Sequence, residues 1–106
     1  MAAEIVMAVY RPKPGKGDEM AALIAKHVPV LRAEGLATDR EPIVVRSKKD
    51  GTFIEIFEWD TADSARKAHE IPAVQEIWGA MEAIADFLTL GDLEEAPTRF
   101  AHFDPA

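Results

Sequence analysis

Residues 53–90 read FIEIFEWDTADSARKAHEIPAVQEIWGAMEAIADFLTL, and the reading of this stretch decides the fold. Phe53–Trp59 is rich in β-branched and aromatic residues. It alternates Ile54 and Ile56 on one face with Phe53, Phe57 and Trp59 on the other, the two-residue period of a strand. Asp60 or Thr61 then caps a helix from about residue 62 to 87, which carries Ala65, Ala68 and His69, breaks near Pro72 and resumes. Its second half places Val74, Ile77, Trp78, Met81, Ile84, Ala85 and Leu88 on one face and Gln75, Glu76, Glu82 and Asp86 on the other. Phe87–Leu90 is expected to begin a fourth strand.

Working backwards, Ile43–Ser47 is a short strand joined to Phe53–Trp59 by Lys48-Lys49-Asp50-Gly51, and an Asp-Gly between two apolar alternations signals a hairpin. Upstream, Met20, Leu23, Ile24, His27, Val28 and Leu31 recur at three- and four-residue spacing, an amphipathic helix with His27 on its apolar side. Pro29 removes a backbone donor from that helix, and Gly35 suits its C-terminal cap. Glu4–Arg11 alternates Ile5, Met7 and Val9 against Val6, Ala8 and Tyr10, so both faces are apolar and the strand is expected to be central. Downstream, residues 91–106 form an arm whose Phe100 and Phe103 give it something to bury, with a clasp onto a second subunit as the preferred arrangement.

The order strand, helix, strand, strand, helix, strand is the ferredoxin-like α+β arrangement, βαββαβ, with a four-stranded antiparallel sheet. Two helices cover one face of such a sheet. The other face is apolar here too, which predicts a homodimer packed sheet to sheet.

Composition bounds the function. A chain of 106 residues is read as one domain, 1–106, burying roughly two-thirds of its unfolded surface. A net charge of −7 with scattered Lys and Arg argues against nucleic acid or an anionic membrane as partner. No apolar run approaches a membrane span, and no basic segment precedes the apolar residues of the N-terminus. The lack of Cys is compatible with a cytoplasmic protein and removes thiolate chemistry.

The element order, the Glu58-Trp59 pair closing the third strand, the Ala68-His69 pair in the following helix and the break before PAVQEIW resemble the antibiotic biosynthesis monooxygenase-like superfamily of dimeric α+β barrels. The resemblance runs from Glu4 to about Leu90. In particular it points to a bacterial branch without assigned activity whose chains end in a Pro- and Phe-containing tail. Two departures count. The family pattern places the Trp two residues after the Glu, whereas Trp59 follows Glu58 directly. The haem-degrading branch uses an Asn near the end of the first strand and a helix His; this chain has no Asn, and the His position falls at Trp78 or Gly79, so haem degradation is set aside.

The resemblance implies a cofactor-independent oxygenase acting on a small aromatic or polyketide-like molecule in an apolar pocket. His69 would be the catalytic residue, taking a proton from a phenol or enol, with Trp59, Trp78 and Phe57 shaping the cavity and Tyr10 at its mouth. Ala65 and Ala68 supply the motive, since small residues leave space beside the imidazole. The plainer alternative for His69 is a half-buried imidazole bonded to a neighbour. His27 reads as a packed or locally bonded side chain. Glu55, among Phe53, Phe57 and Trp59, could be a base with a raised pKa, or could pair with Arg46 across the hairpin or with a charge of a second subunit; pairing is preferred over the base. Three widely spaced His without Cys make no metal site, and no cofactor motif occurs. The competing reading is a non-catalytic dimeric domain that binds a small apolar ligand or serves a structural or stress-related role.

Overall fold

Five strands and three helices make up the chain, in a computed structural model that describes residues 2–106. They follow in the order β1 (Glu4–Pro12), α1 (Gly17–Ala33), β2 (Ile43–Ser47), β3 (Phe53–Trp59), α2 (Ser64–Ala68), α3 (Pro72–Ile84), β4 (Ala85–Leu88) and β5 (Phe103–Pro105). The sheet is antiparallel throughout, ordered β4-β1-β3-β2-β5. The first four strands keep the ferredoxin-like order; the expected sheet of four gains a fifth edge strand.

Local chemistry explains the boundaries. Gly35 lies at φ 73°, the left-handed region, and ends α1: Leu36 N–H donates to Leu31 O at 2.9 Å and Gly35 N–H to Arg32 O at 3.0 Å. Leu31 and Leu36 also pack together in the core, the apolar contact that accompanies this termination. The helix expected over residues 62–87 divides in two. Pro72 takes the first position of α3, where its missing N–H costs nothing. α3 stops at Ile84, whose carbonyl accepts from Lys13 N–H at 2.8 Å, and the backbone turns straight into β4. The fourth strand therefore begins at Ala85, two residues earlier than expected, because Ala85–Leu88 pair with Val9–Pro12 of β1.

One face of the sheet carries the helices. Met20, Ile24, Phe53, Ile77 and Met81 fill one half of that core, and Val28, Leu31, Phe57, Trp59, Ala68 and Val74 the other. Full burial of side chains of this size stabilises by about 2 kcal/mol each.

The outer face is partly covered by the chain's own tail. Leu88, Val9, Ile54 and Val45 lie in register across β4, β1, β3 and β2, and Leu93 and Phe103 pack onto them. Within the single chain the tail packs on its own sheet: β5 pairs with β2, and Ala106 N–H donates to Val44 O at 2.9 Å. Phe103 is half-buried there. Phe100, expected to be buried, is instead 92% exposed with φ 51°. It sits in a turn before β5, where its ring meets no core. Ile5, Met7 and Ile43, at 53, 48 and 60% exposure, remain open on the uncovered half of the outer face.

Candidate functional site

The cavity opens where β1 and β3 meet the helices. The inward row of β1 is Val6, Ala8 and Tyr10, and that of β3 is Phe53, Glu55, Phe57 and Trp59. Ala8, directly opposite Glu55, is the smallest of these and leaves room that a larger side chain would fill. A cavity of about 290 Å³ results, walled by Val6, Ala8, Tyr10, Phe57, Trp59, Phe87, Trp78, His27 and His69. Its size is at the lower end for small-molecule sites, which suits one ring system with few substituents.

The aromatic walls brace one another. Phe57 and Trp59 meet edge to face at 5.0 Å between centroids, as do His27 and Phe57 at 5.4 Å, Tyr10 and Phe87 at 5.2 Å, and His69 and Trp78 at 4.9 Å.

Behind the wall lies a buried polar chain. Tyr10 Oη donates to Glu55 Oε1 at 2.8 Å, and His27 Nδ1 lies 2.8 Å from Oε1 and 3.0 Å from Oε2. Trp78 Nε1 donates to His27 Nε2 at 2.8 Å. An indole N–H can only donate, so Nε2 carries no proton and Nδ1–H donates to the carboxylate. Glu55 is 1% exposed and His27 3%. Among the described residues His27 is the only basic side chain bridging Glu55, so the carboxylate is held by neutral donors. Burial, and then the Glu55 carboxylate, push the Tyr10 hydroxyl far above its ordinary range.

The structure thus brings together four of the expected residues, Phe57, Trp59, Trp78 and Tyr10, and sets His69 at the rim. Tyr10 does not offer its hydroxyl to the cavity mouth; the group turns inward to Glu55, and only the ring faces the cavity. His69 is exposed, at the C-terminal end of α2, with no hydrogen-bond partner on either ring nitrogen among the described residues. Its backbone carbonyl accepts from the Gln75 side chain. Ala68 is wholly buried against Trp59 and Val74, so the alanines let α2 close on the core rather than opening space.

Glu55 is paired, but within the chain and not with Arg46: its partners are Tyr10 and His27. The register places Val44 opposite Glu55 and Arg46 opposite Phe53, and the guanidinium lies over the Phe53 ring at 4.6 Å. His27 is the functional candidate that the sequence reading passed over. Its signal was a titratable residue on an apolar helix face in a chain with a second one, Glu55, on an inward strand face; two such groups need each other.

Among the described residues there is no cluster of three metal-ligating side chains, and no helix is long and apolar enough to cross a membrane. No family model matches the sequence, and no curated protein matches it. Solved structures do. A candidate antibiotic biosynthesis monooxygenase from Chloroflexus aurantiacus superposes with a TM-score of 0.62 at 17% identity, over 82% of this chain and 85% of the other. A NIPSNAP family protein from Agrobacterium tumefaciens superposes with a TM-score of 0.51 at 17% identity, over 92% of this chain and 100% of the other. At these identities the likeness is one of fold: this is the α+β fold that both share.

Proposed function

We propose that the chain binds a compact, largely apolar ring compound in the cavity between sheet and helices and acts on it as a cofactor-independent, monooxygenase-like protein. The observation that carries this reading is the wall itself: aromatic rings on several sides, with one imidazole at the mouth whose nitrogens have no hydrogen-bond partner among the described residues. In this reading Trp59, Trp78, Phe57 and the ring of Tyr10 hold the apolar body of the ligand. His69 meets its outward polar group, as the pocket-lining imidazole whose nitrogens are free. The test is titration with a hydroxynaphthoquinone, read by quenching of Trp fluorescence and by oxygen uptake. Saturable quenching and oxygen uptake are expected. Replacing His69 with Ala weakens binding about three- to tenfold, the range for one lost hydrogen bond. A protein that shows no saturable quenching has no such site.

One observation favours a second, non-catalytic reading: His27, Trp78 and the Tyr10 hydroxyl are already bonded within the buried chain, which leaves little free polar chemistry. Binding without oxygen uptake would select it.

The proposed unit is a homodimer. Ile5, Met7 and Ile43 form an apolar patch on the uncovered half of the outer face, the kind of surface that a second copy covers. Met7→Glu is expected to yield monomers in sedimentation. A wild-type protein that sediments as a monomer at micromolar concentration would overturn the assignment.

A further inference from the structure

The hydrogen bond between Trp78 Nε1 and His27 Nε2 stands between the cavity and the buried carboxylate, and both rings line the cavity. We propose that a ligand hydroxyl inserts into this bond and that His27, backed by Glu55 and Tyr10, is the group that takes its proton. This rests on the ligand reading above and deepens it by naming the group that accepts the proton.

The complementarity is specific. A group placed between the two rings must accept from the indole N–H and donate to the imidazole Nε2. A hydroxyl does both. An ether or ketone oxygen only accepts and would leave Nε2 unpaired; an alkylammonium only donates and would leave the indole N–H unpaired. Two hydrogen bonds through one oxygen need the nitrogens about 5 Å apart, so the rings must separate by about 2 Å from their 2.8 Å contact. Trp78 is only half-buried and borders the cavity, which gives its ring the room to shift.

Charge supplies the driving term. The groups facing His27 are Glu55 from β3, Tyr10 from β1 by way of that carboxylate, and Trp78 from α3, with His69 of α2 on the far side of the indole. Glu55 is buried without a cation. When the ligand O–H bond breaks and a bond forms between that proton and Nε2, the electron pair stays on oxygen. His27 becomes an imidazolium 2.8 Å from the carboxylate, so a lone buried charge becomes an ion pair. The Trp78 N–H then donates to the new oxyanion. Nothing is oxidised or reduced in this step. It delivers an electron-rich anion into an apolar cavity.

His69 differs in each respect. It is exposed and has no carboxylate behind it to orient the ring, which suits holding the ligand's outer end. Glu55 is a positioning residue: it fixes the His27 tautomer, as a carboxylate does behind a general base.

The test uses para-nitrophenol, whose anion is yellow and whose phenol is not, with para-nitroanisole as the analogue that cannot donate. The measurements are dye bound by equilibrium dialysis and its visible spectrum, at a pH where the free dye is mostly phenol. Wild-type protein is expected to hold the dye as the anion and to bind the ether at least about tenfold more weakly. In His27→Gln the dye remains bound but as the phenol, and in Glu55→Gln the anion fraction falls. In His69→Gln the loss appears in affinity, while the bound dye remains the anion. Should the His27 and Glu55 variants fail to fold, nitrogen-15 NMR of the wild-type protein gives the same answer: the His27 Nε2 resonance moves from unprotonated to protonated when dye is added. Dye bound as the phenol by wild-type protein, or an anion spectrum surviving in His27→Gln, would overturn the inference and leave the ligand site standing. Failure to bind any dye would overturn both.

Discussion

Two glutamates are buried on opposite faces of one sheet, and the protein treats them differently. Glu55, on the helix side, accepts from Tyr10 and His27, two donors delivered by two different elements. Glu95, under the tail on the outer side, is 5% exposed and accepts from Ser47 Oγ at 2.7 Å, while its Oε1 has no partner among the described residues. The first belongs to a closed network beside a cavity. The second is a half-satisfied group bonded to Ser47, at the end of the edge-side strand β2. A buried carboxylate is therefore not in itself a mark of function here; what distinguishes Glu55 is that its partners lead to the cavity wall.

The contrast predicts its largest effect at Glu55. Glu55→Ala strands the Tyr10 hydroxyl and His27 Nδ1–H together, and removing one member of a buried polar set costs about 3–5 kcal/mol. Urea unfolding should show a clearly lower midpoint, since such a loss is a large fraction of the about 5–15 kcal/mol that holds a domain folded. A loss below about 1 kcal/mol would mean that water already serves those donors.

Tyr10 sharpens the same side of the comparison. It is the only Tyr of the chain, so its ionisation is read directly from ultraviolet absorbance. Its hydroxyl is held protonated in the folded state, by burial first and by the adjacent carboxylate second. A group whose folded pKa is raised contributes stability that is intact below its unfolded value and lost above it. Stability should then decline above about pH 10, by up to about 1.4 kcal/mol per pH unit from this group. Tyrosinate absorbance should appear only as the chain unfolds, and Tyr10→Phe should remove that part of the slope. Tyrosinate forming in folded protein near pH 10 would contradict the buried network.

How much of this was legible in the sequence follows from distance along the chain. β1, α1, the β2–β3 hairpin and the break at Pro72 declare themselves by local period and turn chemistry. β5 does not: Phe103-Asp104-Pro105 is three residues with no alternation, and a Pro in an edge strand reads as an arm. The Glu55 network is hidden for a different reason. It needs the β1–β3 register, which pairs Ala8 with Glu55 across 47 positions, and the docking of α1 over both strands. The hairpin is the local pairing, so Arg46 looked like the natural counter-ion; a shift of two residues along β2 puts Val44 there instead. His69 was conspicuous because the resemblance drew attention to it; it borders the cavity, but at the rim and exposed rather than half-buried.

The outer face offers a smaller test. Deleting residues 98–106 removes β5 and Phe103 but leaves Leu93 in place. Half-burial of one Phe contributes about 1 kcal/mol, and for a domain near this size that is about 4–8 °C in melting temperature. The Lys48–Asp104 bridge lost with it is exposed and adds little. Phe100→Ala, by contrast, should leave the melting temperature unchanged, since the ring is 92% exposed. Equal effects of the two Phe residues would mean that something covers Phe100 in solution, and a second copy would be the first candidate.

Glu95 returns to the comparison itself, with a small effect of opposite sign. Ser47 Oγ is engaged three times, donating to Glu95 Oε2 and accepting from the backbone N–H groups of Lys49 at 3.1 Å and Asp50 at 3.4 Å. A neutral amide at position 95 can still accept from Ser47 through its oxygen, so the hairpin loop keeps its anchor. The orphan atom becomes an NH₂ rather than part of a carboxylate, and an uncharged polar group costs less to bury than a charged one. Glu95→Gln should therefore leave stability within about 1 kcal/mol of wild type, on the stabilising side. The measurement is the same urea titration used for Glu55→Ala. A loss above about 2 kcal/mol would show that Oε1 is engaged after all, by water or by a second subunit, and the two glutamates would then differ in their partners but not in their satisfaction.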